Sequence, residues 1–420
     1  MHDENNKIQR KNLKNWILVF VKNFLAIFLV LAPLFLYLGT CYLIQKYTSL
    51  DKLPYVHWNG LDPANSVYVS WETSKPTSTY IKYGKDLNLN DGIYQDDTLS
   101  NMHHIKLEGL EPNTQYFFKA GSSSDNLFDK IFYFYTAPQP NSNVSFNFTV
   151  ISDTQQFMGT GHYDRIASAI ADARHGDAAF VLFAGDMGQE PYDQETWNFF
   201  MHQTQKYSYK IPIVPCMGNH DKNGFNIDTM YHKYFGVSLF NSSSSHPNKN
   251  YYAFNWSNTL FVIMEIAEGE DTNPLIEYSI EQDQWLNNTL KDAQSQDYRI
   301  LIFHRPIYSG AGCSQTLINR LVPIIKTYNV SMVFYGHEHI YERFFIDNVT
   351  YVNVAGGGGM QNVGYYPIEG LQKVAMGPFF TRVFINSTNV ILRTYSPRFN
   401  IIDEVELIKI DSNLILKEVD

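Results

Sequence analysis

Near-continuous apolar runs, each ending in a polar residue, recur through the second half of the chain. The runs are FNFTVISD, AAFVLFAGD, IPIVPCMGN, YRILIFH and VSMVFYGH. Runs of this kind are typical of parallel strands that are covered on both faces. They predict five such strands, which end beside Asp153, Asp186, Asn219, His304 and His337.

The polar residues at the ends of these runs are regularly spaced. The separation is 33 residues from Asp153 to Asp186, from Asp186 to Asn219, and from His304 to His337. One strand with its returning helix and loops takes roughly 30 residues. Open α/β sheets bind ligands just past the carboxyl ends of their strands. The spacing therefore predicts that all five side chains lie at the same edge of one sheet.

Amphipathic segments between the apolar runs predict the returning helices. They span roughly residues 162–174, 194–205, 280–293 and 315–328. In the third segment, Trp285, Leu286 and Leu290 form the apolar stripe expected to face the sheet. The alternation of strands and helices predicts an α/β domain over residues 146–410.

Residues 54–137 carry a different pattern, because apolar and polar positions alternate with the period of a strand. SVYVSWET and STYIKYG alternate in this way, and HHIKLEGL, QYFFKAG and KIFYFYTAP follow at short intervals. Short alternating runs separated by turn residues are typical of all-β sandwiches. We therefore expect a small all-β sandwich ahead of the α/β domain.

The first fifty residues predict a membrane anchor. Residues 24–44 form 21 consecutive positions without a charge, which as a helix would span roughly 31 Å, enough for a bilayer core. Five basic residues against two acidic ones precede it in residues 1–23, so the tail is expected in the cytosol and the remainder in the lumen or outside. This is a single-pass type II topology. The alternative is secretion after cleavage of a signal peptide, whose apolar region normally runs about 7–15 residues.

Glycosylation signals agree with a secretory location. Asn-x-Ser/Thr triplets begin at Asn143, Asn147, Asn241, Asn255, Asn287, Asn329, Asn348 and Asn386. As a set they fit a chain that enters the secretory pathway. Cysteine usage does not discriminate, because only Cys216 and Cys313 lie outside the predicted anchor. A bridge between them is left open, and no spacing pattern supports it.

Composition sets outer limits on function. The 420 residues with 44% apolar content allow two globular domains and an anchor. A net charge of −10 argues against nucleic acid as a partner, since nucleic-acid binding needs a basic surface.

The strand-end motifs together supply ligands for metal ions. They are ISDTQQ, FAGDMG, GNHD, LIFHRP and GHEH in chain order. This ordered set resembles the calcineurin-like metallophosphoesterases, and within them the purple acid phosphatase group. The resemblance extends through GHEHIYER and FHRPIYSG, and LEGLEPNTQYFFKA is similar to a fibronectin type III module with Tyr116 as its corner tyrosine. It implies a metallophosphoesterase β-sandwich flanked by helices, with a fibronectin type III-like domain before it and one N-terminal transmembrane helix.

The resemblance also implies how two metal ions would be held. Asp186, central in the motif order, would bridge the ions. The remaining implied ligands are Asp153 and His339 for one ion, and Asn219, His304 and His337 for the other. Two cations roughly 3.5–4 Å apart polarise a phosphoryl group and lower the pKa of a trapped water towards ~7, so that hydroxide attacks phosphorus.

Three further residues are given roles beside the metals. The resemblance places His220 next to the leaving oxygen as a donor, and Asp221 could orient the His220 imidazole. Arg305 directly follows a ligand, and the sequence leaves open whether it contacts a phosphate oxygen or forms a structural salt bridge.

Two positions depart from the family pattern. Gln189 stands where purple acid phosphatases carry the tyrosine whose phenolate on ferric iron produces their colour, so a non-purple site is expected. Gln155 stands where other metallophosphoesterases carry a histidine. Its amide is expected either to bind a metal or to hydrogen-bond to water on the metal. The metals are iron, zinc, manganese or magnesium, because ligand types seldom fix the metal.

The sequence thus predicts a binuclear metal-dependent phosphohydrolase, an acid phosphatase acting on phosphomonoesters. Two alternatives stay open. One is a phosphodiesterase or nucleotide pyrophosphatase, because the same metals serve both reactions. The other is a membrane-anchored binding protein with a decayed catalytic site, since the family tyrosine and histidine are both replaced.

Overall fold

The computed structural model describes residues 52–60, 62–155, 162–172, 178–222, 229–236, 250–266, 273–359, 366–410 and 413–418. The predicted tail at 1–23 and the predicted anchor at 24–44 lie outside these residues. Within the described ranges, no helix is both long enough and apolar enough to cross a membrane.

Strands and helices follow one another in the predicted order. The N-terminal strands are β1 (Lys52–His57), β2 (Ser66–Gly84), β3 (Gly92–Glu108), β4 (Gln115–Ser123), β5 (Asn126–Leu127) and β6 (Phe132–Tyr135). Next come β7 (Phe146–Ile151), α1 (Tyr163–Ile170), β8 (Val181–Phe183), α2 (Gln194–Thr204), β9 (Ile213–Pro215) and α3 (Met230–Phe235). The following elements are β10 (Tyr252–Trp256), β11 (Thr259–Ile263), α4 (Asn273–Asp292), β12 (Tyr298–Ile302), α5 (Gln315–Thr327), β13 (Met332–Tyr335), β14 (Tyr341–Ile346) and β15 (Val349–Val354). The last strands are β16 (Leu371–Ala375), β17 (Phe380–Ile385), β18 (Asn389–Tyr395), β19 (Ile401–Ile410) and β20 (Asn413–Glu418).

The strands form two sheets, so the expectation of a single ligand-bearing sheet is wrong. The first sheet contains β7, β8 and β9 as parallel neighbours, and its order is β20-β19-β18-β17-β7-β8-β9-β1-β2-β4-β5, with β3 and β6 pairing β2 and β4. The second sheet runs β10-β11-β12-β13-β15-β14-β16, with β12 and β13 parallel. The antiparallel hairpin β10–β11 begins the second sheet. Buried strands have the same apolar pattern in either sheet, so periodicity could not separate them.

An aromatic cluster packs the two sheets against each other. Phe148 on β7 and Phe180 just before β8 belong to the first sheet, and Phe261 on β11 belongs to the second. The ring of Phe261 lies 5.1 Å from Phe148 and 5.2 Å from Phe180, edge-on to both. Edge-to-face packing of buried rings stabilises a core beyond the burial of their area. The cluster therefore fixes the distance between the sheets beneath the predicted ligands.

Helices cover the outer faces of the sheets. On the first sheet, Tyr163 of α1 stacks on Phe200 of α2 at 5.5 Å, and Phe200 meets Phe183 of β8. On the second sheet, Leu286 and Leu290 of α4 are fully buried, as the predicted apolar stripe requires. The four predicted helices are present, the third beginning at Asn273. The short helix α3 was not predicted.

The N-terminal strands extend the first sheet. His57 of β1 pairs in parallel with Ile213 of β9, and the N–H of Trp58 donates to the Ile213 carbonyl over 3.0 Å. The predicted corner tyrosine is in place, because Tyr116 Oη accepts the N–H of Glu111 at 2.9 Å. The predicted all-β region is thus joined edge to edge with the α/β domain. Backbone pairing of this kind leaves no side-chain signal in the sequence.

A buried charged cluster ties the N-terminal strands to the helices of the first sheet. Glu72 on β2 forms an ion pair with Lys52 Nζ at 2.8 Å and accepts a hydrogen bond from Lys233 Nζ of α3 at 2.6 Å. Lys233 also donates to Gln194 of α2 at 2.9 Å, and the Tyr234 hydroxyl donates to Glu72 at 3.2 Å. Charged groups are buried only when paired and hydrogen-bonded. Glu72 therefore links β1 and β2 to α3 directly and to α2 through Lys233.

The two cysteines of the described chain are both free, Cys216 buried and Cys313 exposed. The bridge that the sequence left open is absent. The fold therefore depends on its apolar cores.

Candidate metal centre

The predicted ligands lie in loops at the carboxyl ends of parallel strands from both sheets. Asp153, Asp186 and Asn219 follow β7, β8 and β9, while His304 and His337 follow β12 and β13. Because the sheets are packed face to face, these loops meet across the top of the core. The centre is therefore assembled from two sheets that face each other.

One group of donors surrounds Asn219. Its Oδ1 lies 3.0 Å from His304 Nε2 and 2.9 Å from His337 Nδ1. His304 Nε2 is also 3.2 Å from Asp186 Oδ2. Ligand atoms of Asp186, His304 and His337 all lie within 4.8 Å of one another, as in a metal site. A carboxylate, an amide oxygen and two imidazoles suit iron, zinc or manganese.

A second group surrounds Asp153. Its Oδ1 lies 3.1 Å from His339 Nε2. The Gln155 amide nitrogen lies 3.3 Å from the same His339 atom and 3.2 Å from Asp186 Oδ2. Asp186 therefore contacts both groups, as a bridging carboxylate would.

Hydrogen bonds from the backbone fix how His304 presents its ring. Its Nδ1 lies 2.9 Å from the Ala184 carbonyl, which can only accept, so Nδ1 carries a proton and donates. This leaves Nε2 to face Asp186 and Asn219. A second partner on the far ring nitrogen is the usual arrangement for a metal-binding histidine. No sequence signal marks the Ala184 carbonyl, because it is a backbone atom.

Burial and mutual charge perturb the titration of these groups. Burial lowers the pKa of His304, but the Asp186 and Asp153 carboxylates outweigh it and raise the value to about 9. Burial lowers the pKa of His337 to about 4, and the charges of His304 and Arg305 act in the same direction. Burial opposes ionisation of Asp153, yet its hydrogen bond with His339 and the charge of His304 bring its pKa below the usual value. The buried carboxylates thus attract positive charge to this point.

The backbone of the ligand loops is strained. Asp153, Asp186 and His337 have φ of 58°, 55° and 73°, the left-handed region that side chains with a Cβ rarely adopt. Each such residue costs about 1–2 kcal/mol, and strain of this kind clusters at functional sites. A side chain at Gly218 would collide with the Asp186 carboxylate. The loops therefore hold conformations that bring ligands together at the expense of stability.

The prediction that Asp221 orients the His220 imidazole is wrong. The Asp221 carboxylate is fully buried and accepts four backbone N–H groups, those of Gly218, Asp186, Met187 and Gly188, at 2.8–3.2 Å. The His220 ring is held instead through Nδ1, which donates to the Gln189 carbonyl at 2.7 Å. Asp221 therefore shapes the Asp186 loop, and His220 Nε2 is left for other contacts.

Gln189 and Arg305 lie beside the two groups. The Gln189 amide nitrogen is 3.5 Å from His220 Nδ1. Arg305 is half-buried, its Nε is buried without a hydrogen-bond partner, and it forms no ion pair within the described residues. A structural salt bridge, the alternative left open for Arg305, therefore has no partner in the described chain.

These residues fit two cations that share Asp186. The donors are carboxylate, imidazole and amide groups, they are largely buried, and they come within contact distance of each other. Gln155 Oε1 is buried with no hydrogen-bond partner in the described structure, which is the state expected of an oxygen that awaits a cation. One supporting residue was not anticipated. A side chain at Gly359 would collide with the His339 ring, so glycine at this position makes room for the ligand.

Comparison with known families gives two matches. Residues 146–341 match the calcineurin-like phosphoesterase family, and residues 54–136 match the N-terminal domain of purple acid phosphatases. The two matched regions correspond to the α/β domain and to the N-terminal strands.

Individual relatives are distant but cover most of the chain. A probable purple acid phosphatase of Arabidopsis thaliana is 26% identical over 340 residues, 73% of this chain and 74% of that protein. The phosphoenolpyruvate phosphatase of Allium cepa is 24% identical over 318 residues, 71% of this chain and 61% of that protein. Among solved structures, a purple acid phosphatase from yellow lupin seeds superposes with a TM-score of 0.65 at 16% identity, covering 84% of this chain and 73% of that one. This likeness establishes the same fold.

Proposed function

This chain is a calcineurin-like metallophosphoesterase that carries a purple acid phosphatase N-terminal domain, and we propose that it hydrolyses phosphomonoesters with two bound metal ions. The observation that carries the proposal is the convergence of ligands from two sheets. Asn219 of the first sheet lies within 3.0 Å of His304 and 2.9 Å of His337 of the second. Side chains of this chemistry meet around a shared, buried Asp186.

The first ion would be held by Asp153, Asp186 and His339, and the second by Asp186, Asn219, His304 and His337. When bound, the two ions polarise the phosphoryl group and supply a water of lowered pKa. We propose that the metal pair lacks the purple colour, because Gln189 stands in place of the family tyrosine.

The chain's own residues do the remaining work. Because His220 Nδ1 is committed to the Gln189 carbonyl at 2.7 Å, Nε2 is the atom that can donate a proton or a hydrogen bond to the leaving oxygen. Arg305 carries a fixed positive charge close enough to lower the pKa of His337. A guanidinium in this position can contact a phosphate oxygen.

The substrate test compares two esters. Full-length protein, freed of metal and reloaded with Mn²⁺, Zn²⁺, Mg²⁺ or iron, is assayed with para-nitrophenyl phosphate and with bis(para-nitrophenyl) phosphate. We expect the monoester to be hydrolysed at least about tenfold faster in kcat/KM. Faster hydrolysis of the diester would support the phosphodiesterase alternative. Failure to turn over either ester with any of these metals would favour the binding protein.

We also propose that the chain is anchored by residues 24–44 with its catalytic domain outside the cytosol. The charge asymmetry around the anchor supports this, and so do glycosylation triplets at exposed positions such as Asn143, Asn329 and Asn348. When protein isolated from cells is treated with an N-glycosidase, its apparent mass should fall. In sealed microsomes, the catalytic domain should resist added protease. Cleavage without membrane lysis would contradict this topology.

A further inference from the structure

Gln155 occupies a position between the two ligand groups. Its side chain is 3% exposed, and its amide nitrogen lies 3.2 Å from Asp186 Oδ2 and 3.3 Å from His339 Nε2. The backbone N–H groups of Thr154 and Gln155 both donate to the Asp186 carbonyl, at 2.9 and 3.2 Å. The amide is therefore held beside the bridging residue by its own loop.

The oxygen of the same amide lacks a partner. Gln155 Oε1 is buried and accepts no hydrogen bond within the described residues. A buried amide oxygen without a partner loses its hydrogen bonds to water and gains none in the fold, which is unfavourable. A buried oxygen of this kind is expected to bind a water or an ion.

The amide can exchange its two ends without moving the rest of the side chain. Oxygen and nitrogen occupy nearly equivalent positions, so a half-turn about the last side-chain bond swaps them. Without a cation, the nitrogen faces Asp186 because an N–H attracts a carboxylate and a carbonyl oxygen repels it. No donor holds Oε1 in its present place, so the half-turn breaks only the Nε2 contacts with Asp186 and His339.

We propose that Gln155 is a metal ligand of this centre, giving its amide oxygen to the ion held by Asp153, Asp186 and His339. The inference rests on the proposed function, since it assumes that the centre binds two ions. An amide oxygen is a hard, uncharged ligand, suited to Mn²⁺ or Mg²⁺ more than to Zn²⁺. The residue therefore favours hard divalent ions at this position.

The test measures metal binding. Metal-free, full-length wild type and Gln155→Met, a variant of similar size that lacks the amide, are titrated with Mn²⁺ by calorimetry and examined by electron paramagnetic resonance. We expect wild type to bind two ions with a spin-coupled signal. Gln155→Met should keep one ion, bind the other at least about tenfold more weakly, and show an uncoupled Mn²⁺ spectrum.

Two more variants sharpen the result. Gln155→His should again bind two ions but shift its preference at this position from Mn²⁺ to Zn²⁺ in competition titrations, because imidazole suits zinc. Gln203→Met, at a buried glutamine of α2 whose Oε1 also lacks a partner within the described residues, lies outside the centre and should bind both Mn²⁺ ions as wild type does. Circular dichroism of the metal-free proteins checks that each variant is folded.

The outcomes distinguish failure of the Gln155 assignment from failure of the proposed two-metal function. If Gln155→Met binds two Mn²⁺ ions with unchanged affinity, Gln155 is not a ligand, and a loss of rate alone would then mark it as a hydrogen-bond donor. If wild type itself fails to bind a pair of ions, both the proposed function and this inference are overturned.

Discussion

Asn219 Oδ1 lies 2.9 Å from His337 Nδ1, although 118 residues separate the two along the chain. Asn219 belongs to the loop after β9 in the first sheet, and His337 to the loop after β13 in the second. Their contact means that metal binding depends on how far apart the two sheets stand. That distance is set by the aromatic core below the loops.

Removing a ring from this core should therefore weaken metal binding as well as the fold. Phe261 contacts Phe148 and Phe180 at 5.1 and 5.2 Å. Phe261→Ala should lower the free energy of unfolding by about 3–5 kcal/mol. It should also raise the dissociation constant for Mn²⁺, since the sheets lose their fixed spacing. Urea unfolding and calorimetry measure the two effects, with Ile401→Ala, at an exposed position, as the control. Unchanged Mn²⁺ affinity in a clearly destabilised Phe261→Ala protein would show that the loops hold their spacing independently.

Asp186 should be the most sensitive ligand. Its carboxylate contacts both donor groups, through His304 at 3.2 Å and Gln155 at 3.2 Å. Asp186→Asn removes the charge that lets one side chain hold two cations, so we expect loss of metal pairing and a fall in kcat of more than about 100-fold. Metal content and monoester hydrolysis are measured together. Asp283→Asn, which breaks a partly exposed pair with Arg320, should leave both unchanged. Two bound ions and full rate in Asp186→Asn would contradict the bridging role.

The sequence predicted the elements and the order of the ligands, because both depend on local pattern. The apolar runs that end at Asp153 and His304 predict strands, and the pattern is the same whichever sheet a strand joins. It could not predict that β12 and β13 form a second sheet, since pairing is decided by tertiary contacts. The edge pairing of His57 with Ile213 was missed for the same reason.

Within the centre, residue types were easier to predict than their contacts. Position beside His220 suggested that Asp221 would orient the imidazole, but its carboxylate points to four backbone N–H groups. The Gln189 carbonyl that holds His220 is a backbone group. Every residue carries such a group, so the type of residue at 189 could not predict this contact. Spacing identifies side chains that can bind a metal, and only the folded loops decide what each one contacts.

Gln189 should determine the colour of the centre. It stands where purple acid phosphatases have tyrosine, and its side chain lies beside His220. Gln189→Tyr loaded with ferric iron should gain a visible absorption band from phenolate-to-iron charge transfer, which wild type lacks. Gln189→Phe has the same ring without the oxygen and should stay colourless. A colourless Gln189→Tyr protein that contains ferric iron would mean that residue 189 does not reach the metal.

Glu72 should stabilise the junction between the N-terminal strands and the α/β domain. It pairs with Lys52 and Lys233 at 2.8 and 2.6 Å, and Lys52 is 2% exposed. Glu72→Ala leaves Lys52 buried without its carboxylate, so the free energy of unfolding should fall by about 3–5 kcal/mol. Glu111→Ala breaks an exposed, solvent-screened pair with Lys85 and should leave the free energy of unfolding nearly unchanged. Similar values for the two variants in urea unfolding would show that the buried cluster contributes little.

A directed hydrogen-bond chain crosses the same junction. The Lys233 carbonyl accepts from His104 Nε2 at 2.9 Å, so in neutral His104 the other nitrogen, Nδ1, accepts a hydrogen bond from the Ser70 hydroxyl at 2.7 Å. Ser70 Oγ must then accept from His57 Nε2 at 2.8 Å. The chain is complete only when the His104 imidazole is neutral, because its Nδ1 must accept. Burial accordingly lowers the pKa of His57, and lowers that of His104 to about 4.

This chain should make stability fall in acid. Unfolded histidine takes up a proton near pH 6.5, whereas folded His104 resists until about pH 4. The unfolded state therefore binds more protons between these values, and the stabilisation present above pH 6.5 is lost as the pH drops through the window, up to about 3 kcal/mol for His104. Urea unfolding from pH 4 to 7 should show a shallower pH dependence in His104→Gln, whose amide can still donate to Lys233. His162→Gln, outside the chain, should retain the wild-type slope. Identical slopes in wild type and His104→Gln would place the acid sensitivity elsewhere in the protein.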